Sequence, residues 1–235
     1  MTHRRNASAH VFVDDLHAPA LNDDDLHHLS RVLRLRDGQS VTASDGRGRW
    51  RACHFAGSAL LAPDGDIVDE RQPDRQRVVV FALTKGDKPE LVVQKLTEIG
   101  VDRIVPMMSE RSVAKWDADK SQRNIERLRK VAREAAMQSR RATIPEIGPM
   151  FESVAAVVAE FGSAVALAEP GAPSIVDFSD VEVVVVGPEG GFSRAELDAC
   201  SRHVSLPGEV LRAETAAIVA GVMLVHGRDV SGGQP

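Results

Sequence analysis

Apolar and polar positions follow two different rhythms along the chain, and the change falls near residues 71–77. Before that point the apolar runs are short and separated by turn dipeptides. Asp-Gly occurs at Asp37–Gly38, Asp45–Gly46 and Asp64–Gly65, and this pair favours the tight turns of hairpins. Between the turns, QSVTAS, RWRACHF and SALLA predict strands. One amphipathic helix interrupts them. Asp23–Asp25 suit its positive N-terminal end, and Leu26, Leu29 and Leu33 form its apolar stripe, with His27, Arg31 and Arg34 turned outward. Residues 1–72 therefore predict a small, mainly β barrel with one helix.

RQPDRQR (71–77) has no apolar residue and predicts a linker. After it, strand and helix patterns alternate. VVVFAL (78–83) predicts a buried strand, and PELVVQKLTEIG (89–100) a helix with Pro in its first turn and Gly at its end. VDRIVP (101–106) is the next strand. A long helix follows over about 122–141, with Ile125, Leu128, Val131, Ala132, Ala135 and Ala136 at helical spacing. AVALAE (164–169), VEVVVV (181–186) and HVSL (203–206) predict three more strands. Ser193 and Glu196 have the spacing of a capping box, and an apolar helix covers about 213–226. Residues 73–235 thus predict an α/β domain with a mostly parallel sheet covered on both faces.

Composition narrows the function classes. A chain of 235 residues makes one large domain or two small ones, and 43% hydrophobic residues support a packed core. No apolar run approaches the ~20 residues of a membrane helix, and the N-terminus lacks a signal peptide's apolar stretch, so a soluble cytoplasmic protein without a membrane partner is expected. Cys53 and Cys200 form neither a disulfide framework nor a zinc set, and His27 and His28 point apart on a helix, so no metal is expected. A net charge of −5 and 4% aromatics argue against a nucleic-acid partner. The distribution of charge reverses that argument. Residues 110–145 carry 10 basic and 5 acidic residues, whereas 146–235 carry 4 and 13. Arg123, Arg127 and Lys130 share one strip of the long helix; a solvated face is the plainer reading, and a polyanion contact the sharper one.

Three segments can carry chemistry. In VVVVGPEGGF (183–192) an apolar strand runs into Gly187-Pro188-Glu189-Gly190-Gly191, at the carboxyl end of a parallel strand, where open α/β sheets bind ligands. The spacing is neither that of a phosphate-binding P-loop nor that of the dinucleotide fingerprint, and a plain glycine-rich turn is the competing reading. In LPGEVLRAETAAIVAG (206–221), Glu214 and Thr215 are ordinary capping residues, but Arg212 is misplaced at a helix N-terminus and calls for an anionic partner. In KGDKPELVVQKLTEIGVDRIVPMMSERS (85–112), Lys85, Lys88 and Lys95 surround a helix and Glu110-Arg111-Ser112 follow a strand; spacing alone favours a solvated face.

Taken in order, KGDKPELVVQKLTEIGVDRIVPMMSERS, REAAMQSRRATIPEI (133–147), VVVVGPEGGFSRAEL and LRAETA, with DLHHLSRVLRLRDGQSV (25–41) before them, resemble the bacterial ribosomal RNA small-subunit methyltransferase E family. The resemblance spans nearly the whole chain. It implies a PUA-like β-barrel that helps hold RNA, followed by a SPOUT-type α/β domain with a deep C-terminal trefoil knot. It also implies a homodimer that transfers methyl from S-adenosylmethionine to N3 of a uridine in 16S rRNA, on free rRNA or the small ribosomal subunit. Carried onto this chain, Leu167, Glu169, Gly187, Pro188, Gly190, Gly191, Leu206, Val210, Leu211, Thr215 and Ala216 are the expected cofactor contacts. Arg212, Glu189 and Glu214 are the expected catalytic residues, and Arg31, Arg34, Arg111, Arg127 and Arg141 the expected RNA contacts. A side chain at Gly190 is expected to fill the cofactor's space. Two positions depart from the family pattern: Pro207 interrupts its usual Leu-Gly, and Met137 stands where a Glu is common. A 2′-O-ribose RNA methyltransferase and a non-catalytic ribosome-assembly factor are the alternatives.

Overall fold

The computed structural model describes residues 4, 6–70, 75–177 and 180–231. The chain divides into two compact units, Met1–Asp74 with Arg133–Ile144, and Arg75–Ala132 with Pro145–Pro235. Most of the charged stretch expected as a linker lies outside the described residues. Its last residue, Arg77, is buried and donates from Nη1 to the Val181 carbonyl (3.2 Å), so it belongs to the second unit's core.

In the first unit a four-stranded sheet has the order β1 (Ala9–Phe12), β2 (Ser40–Ser44), β3 (Arg49–His54), β4 (Ala62–Asp69), with β1 and β2 parallel and the other pairs antiparallel. β1 is too short to show a rhythm in the sequence. Asp45–Gly46 makes the expected turn, with Gly46 left-handed (φ +73°). Asp64–Gly65 does not. Gly65 (φ +87°) sits inside β4, where the register with β3 shifts between Trp50 and Ala52, and its carbonyl accepts from Arg51. The SALLA segment (58–62) contributes a bridge at Leu60 and only its last residue, Ala62, to the strand.

The expected helix is α1 (Asp23–His27), capped by the Asn22 side chain, which accepts from the Asp25 amide at 2.7 Å. It runs on as a π-helical turn, His28–Val32. The wider turn breaks the 3.6-residue stripe: Leu29 is buried, but Leu33 is 44% exposed, against expectation. Asp25 is also buried rather than solvated. Arg133 pairs with it at 2.7 Å and tethers 133–144 to this unit.

In the second unit six parallel strands have the order β10 (His203–Val204), β8 (Val165–Ala168), β9 (Val183–Val186), β5 (Val78–Ala82), β6 (Arg103–Met107), β7 (Glu146–Ile147). Every residue of β5 and β9 is buried, as continuous apolar runs in a covered parallel sheet should be. The helices are α2 (Lys88–Ile99), α3 (Ala118–Gln138), α4 (Val154–Phe161), α5 (Arg194–Asp198) and α6 (Ala213–Ser231). α2 ends at left-handed Gly100, and both halves of the Ser193–Glu196 capping box form. α3 starts four residues earlier than its apolar spacing shows, because its first turn, Ala118–Ser121, is exposed or half-buried and holds only one small apolar residue. α4 was not foreshadowed, being apolar on nearly every side, nor was the two-residue β7. α6 packs on α2 through Gly221, where a methyl group would strike Leu96 and meet Val101 at 3.1 Å.

The first unit carries a built-in acid sensitivity. His10 is buried (4% exposed) with Nδ1 2.8 Å from Thr42 Oγ1, and burial, reinforced by Arg4, pushes its pKa down to about 3. The unfolded chain, with an ordinary histidine, binds this proton more tightly. His10 therefore withholds no stability above about pH 6.5 and removes it progressively as pH falls towards 3, at up to about 1.4 kcal/mol per pH unit. A His10→Asn variant should show a flatter loss of denaturant midpoint between those limits; an unchanged slope would remove His10 as the cause.

Candidate functional site

Because all six strands of the second unit run the same way, their following loops leave from a single edge of the sheet. The loops after β8, β9 and β10 enclose a cleft of about 460 Å³ there. Ala168–Gly171 form one wall, Val186–Glu189 with Gly191 and Phe192 the second, and Ser205, Leu206 and Gly208–Leu211 the third. Ala213 and Ala216, from the first turn of α6, close the base. Backbone bonds lock the first and third loops together: Glu169 N donates to Val204 O (2.9 Å), Ser205 N to Pro173 O (2.7 Å) and Ile175 N to Ser205 O (3.0 Å). Gly187 allows the second wall to form, since a Cβ there would sit 3.1 Å from the Phe192 ring.

Of the positions expected from sequence, the structure brings Glu169, Gly187, Pro188, Glu189, Gly191, Leu206, Val210, Leu211 and Ala216 into this lining. Leu167 is fully buried within β8, between its partners in β9 and β10. Gly190 turns away: a Cβ there would meet Arg111, at 3.5 Å, and not the cleft. Arg212 and Thr215 are exposed at the start of α6, beside the lining and outside it. Val186, Phe192, Ser205 and Gly171 line the cleft without having been singled out. Val186 and Phe192 flank the glycine loop directly, so the loop's own boundaries were the signal for them.

Three carboxylates, Glu169, Glu189 and Glu209, line the cleft, and no lysine or arginine does. The cations stand around it. Lys88, at the start of α2, places Nζ 2.8 Å from Glu189 Oε1 and 3.3 Å from Glu214 Oε2, joining the glycine loop to the first turn of α6. Arg111, in the loop after β6, donates to the Gly190 carbonyl at 3.0 Å. In the same loop the Glu110 amide donates to Glu196 of the capping box (3.1 Å). The segment 85–112 is therefore more than a solvated face, because it braces the glycine loop from two sides. Arg212 has no carboxylate in ion-pair range among the described residues, so the anion its position calls for is not supplied from within them.

The other expected RNA contacts divide between the units. In the second, Arg127 is exposed, with Nε 3.1 Å from Glu90 Oε1. In the first, Arg31 and Arg34 are exposed, Arg34 in a left-handed conformation (φ 54°), and Arg141 is half-buried and donates to Thr143 Oγ1 at 3.2 Å. Among the described residues no three His, Cys, Asp or Glu side chains are grouped to hold a metal ion, and no helix is long and apolar enough to cross a membrane.

The Lys88 hydrogen bond holds the Glu189 carboxyl below its ordinary pKa, and the same contact raises the lysine. Glu189 is thus a carboxylate stabilised in its charged form and weakened as a proton acceptor. In a Lys88→Met variant, the Glu189 side-chain carbon followed by NMR should titrate at a higher pH than in the parent chain. An unmoved titration would show that Lys88 does not set the charge of this loop.

Segments of both units match family models of RNA-modifying proteins. A family model described as an RNA methyltransferase domain matches residues 71–225, and one described as an RNA methyltransferase PUA domain matches residues 21–58. The ribosomal RNA small subunit methyltransferase E of Mycobacterium bovis is 36% identical over 85% of this chain and 83% of its own. A crystal structure from Porphyromonas gingivalis, described as a probable rRNA-methyltransferase, superposes with a TM-score of 0.77 at 28% identity, over 95% of this chain and 99% of that one. The Neisseria gonorrhoeae ribosomal RNA small subunit methyltransferase E, crystallised bound to S-adenosyl methionine, shares the fold with a TM-score of 0.75 at 23% identity, over 91% and 95%. The chain belongs to the ribosomal RNA small subunit methyltransferase E family.

Proposed function

We propose that this protein transfers the methyl group of S-adenosylmethionine to N3 of a uridine in 16S rRNA. The observation that carries the cofactor is the sign of the three-loop cleft. S-adenosylmethionine has a sulfonium and an ammonium against one carboxylate, and so a net positive charge. A lining with three carboxylates and no basic side chain suits that ligand and opposes a phosphate-bearing one such as a nucleoside triphosphate. The volume, about 460 Å³, lies within the range of small-molecule sites. Val186, Leu206, Leu211 and Ala216 offer apolar walls for an adenine, and the backbone at Gly191 approaches without obstruction.

The cofactor, when bound, supplies an electrophilic methyl group. The chain's own residues must then deal with a uridine N3 that carries a proton, and with the anion its loss leaves over O2 and O4. Arg212 is the cation available for that anion, exposed beside the cleft and engaged by no carboxylate among the described residues. Glu189 and Glu214 are both held by Lys88, and the lowered pKa of Glu189 makes it the poorer choice of base. Lys88 acts as a positioning residue, fixing the glycine loop against the helix that presents Arg212. The reading carries with it the deep trefoil knot, a homodimer, a cytoplasmic location and RNA contacts by Arg31, Arg34, Arg111, Arg127 and Arg141, with free 16S rRNA or the small subunit as substrate.

Arg212→Ala should lower kcat about 10²–10³-fold, the cost of one donor to a developing anion, while the calorimetric Kd for S-adenosylmethionine stays within about twofold. Near-normal turnover would take Arg212 out of the mechanism. Incubation of the protein with unmethylated 30S subunits or naked 16S rRNA, followed by nucleoside mass spectrometry, should yield 3-methyluridine. A 2′-O-methyl nucleoside instead would replace N3 by the ribose oxygen, and no S-adenosylmethionine binding at all would favour an assembly factor.

A further inference from the structure

A second cleft opens on the same edge of the second unit's sheet. It lies between the loop after β5 (Thr84–Gly86), the start of α2, the segment 113–116 after β6, and the first turns of α3. Its volume is about 420 Å³. Its charge is opposite to that of the first cleft: Lys85, Lys115, Lys120 and Arg127 line it against the single carboxylate of Glu90. Arg127 is paired with that carboxylate, which leaves three lysines facing solvent across the opening.

Two further features show more than a basic rim. Trp116 lines the cleft and is only half-buried. Among the described residues, Phe161 is the only other Phe or Trp not buried, and it lies under the Arg103 guanidinium, 5.2 Å from its ring centre. Trp116 is thus the one Phe or Trp ring among the described residues left open to a ligand. Thr84 also lines the cleft; it is 6% exposed, and its Oγ1 is a buried polar atom with no hydrogen-bond partner among the described residues. Asn124 adds a half-buried amide to the lining.

We infer that this cleft holds a single-stranded nucleotide of the RNA substrate flanking the target uridine, with its base stacked on Trp116 and its phosphates among Lys85, Lys115 and Lys120. A stacking ring beside lysines is the chemistry that binds unpaired RNA, and Thr84 and Asn124 supply groups for the sugar or base edge. The topology supports the pairing of sites. β5 lies next to β9 in the sheet, so the loops that build the two clefts leave from neighbouring strands on one edge. A strand lying along that edge would seat one nucleotide in the basic cleft and bring the neighbouring target base towards the rim of the cofactor cleft. The proposal rests on the reading of this protein as an RNA methyltransferase.

The test uses the full chain, without S-adenosylmethionine, titrated with a short uridine-rich single-stranded oligoribonucleotide while tryptophan fluorescence is followed. Trp50, the only other tryptophan, is buried and should not respond. Saturable quenching is expected, lost in Trp116→Phe although that variant keeps most of the RNA affinity. Trp116→Ala should weaken RNA binding roughly five- to tenfold, with the calorimetric Kd for S-adenosylmethionine unchanged. Lys115→Gln with Lys120→Gln should reduce the slope of log K against log salt by about 1.4, as expected for two single-strand phosphate contacts. No quenching and unchanged affinity in Trp116→Ala would overturn the proposal, as would equal quenching by inorganic tripolyphosphate, which has no base to stack. Because this measurement involves no methyl transfer, it separates from the proposed reaction: quenching without 3-methyluridine formation would leave the RNA cleft standing and sink only the catalytic reading.

Discussion

The parallel direction of six strands is the constraint from which the rest of the second unit follows. A parallel sheet sends every strand-to-helix loop out at one edge, so the glycine loop after β9, the bracing loops after β5 and β6, and the loops after β8 and β10 all meet there. It also requires both faces to be covered, which explains why β5 and β9 are apolar at every position and why α2 and α6 approach closely enough to need Gly221. In an antiparallel sheet successive loops would alternate between edges, and only every other one would reach this side.

Within that edge the local electrostatics decide what each residue can do. Lys88 is a single cation shared by two carboxylates, one from the glycine loop and one from the first turn of α6, and it ties the two together. The tie keeps Glu189 charged and occupied, and so removes it from competition for Arg212. Had Glu214 or Glu189 turned to the arginine, the site would hold a neutralised pair and nothing to meet a developing anion. The arrangement leaves Arg212 at an unfavourable helix position without a carboxylate partner among the described residues, a local conflict of the kind that marks functional positions.

Much of this was legible in the sequence. The strand–helix alternation after residue 77, the capping box at Ser193 and the loops after β9 and β10 follow from spacing and turn chemistry, the loop after β8 was implied by the family resemblance, and the three loops do meet. What spacing could not show was direction. Gly190 and Gly191 are neighbours in a glycine run, yet one faces Arg111 and the other the cleft, and only the backbone turn decides which. The burial of Asp25 was hidden for a related reason. Its partner Arg133 is 108 residues away, in a helix whose pattern gives no hint that its last turns belong to the first unit. Asp64–Gly65 misled because a left-handed glycine serves a bulge as well as a turn. The π-helical turn defeated the Leu33 prediction because periodicity arguments assume a constant 3.6 residues per turn.

The net charge of −5 is the least informative number in the sequence, because the carboxyl edge of the sheet is divided electrically. Around β8, β9 and β10 the only charged side chains lining the cleft are acids, while around β5 and β6 the neighbouring cleft has four cations and one acid in its lining. On the proposed function this division orients the substrate. A polynucleotide laid along the edge with its phosphates over the acidic half would meet three carboxylates, whereas the basic half attracts them. The energetically favoured placement therefore sets the backbone beside β5 and β6 and leaves the acidic cleft to a cationic cofactor. Only an uncharged base has reason to cross from one half to the other. The boundary it must cross is where Lys88, Glu189, Glu214 and Arg212 stand, so the reacting atoms meet where the two fields change sign.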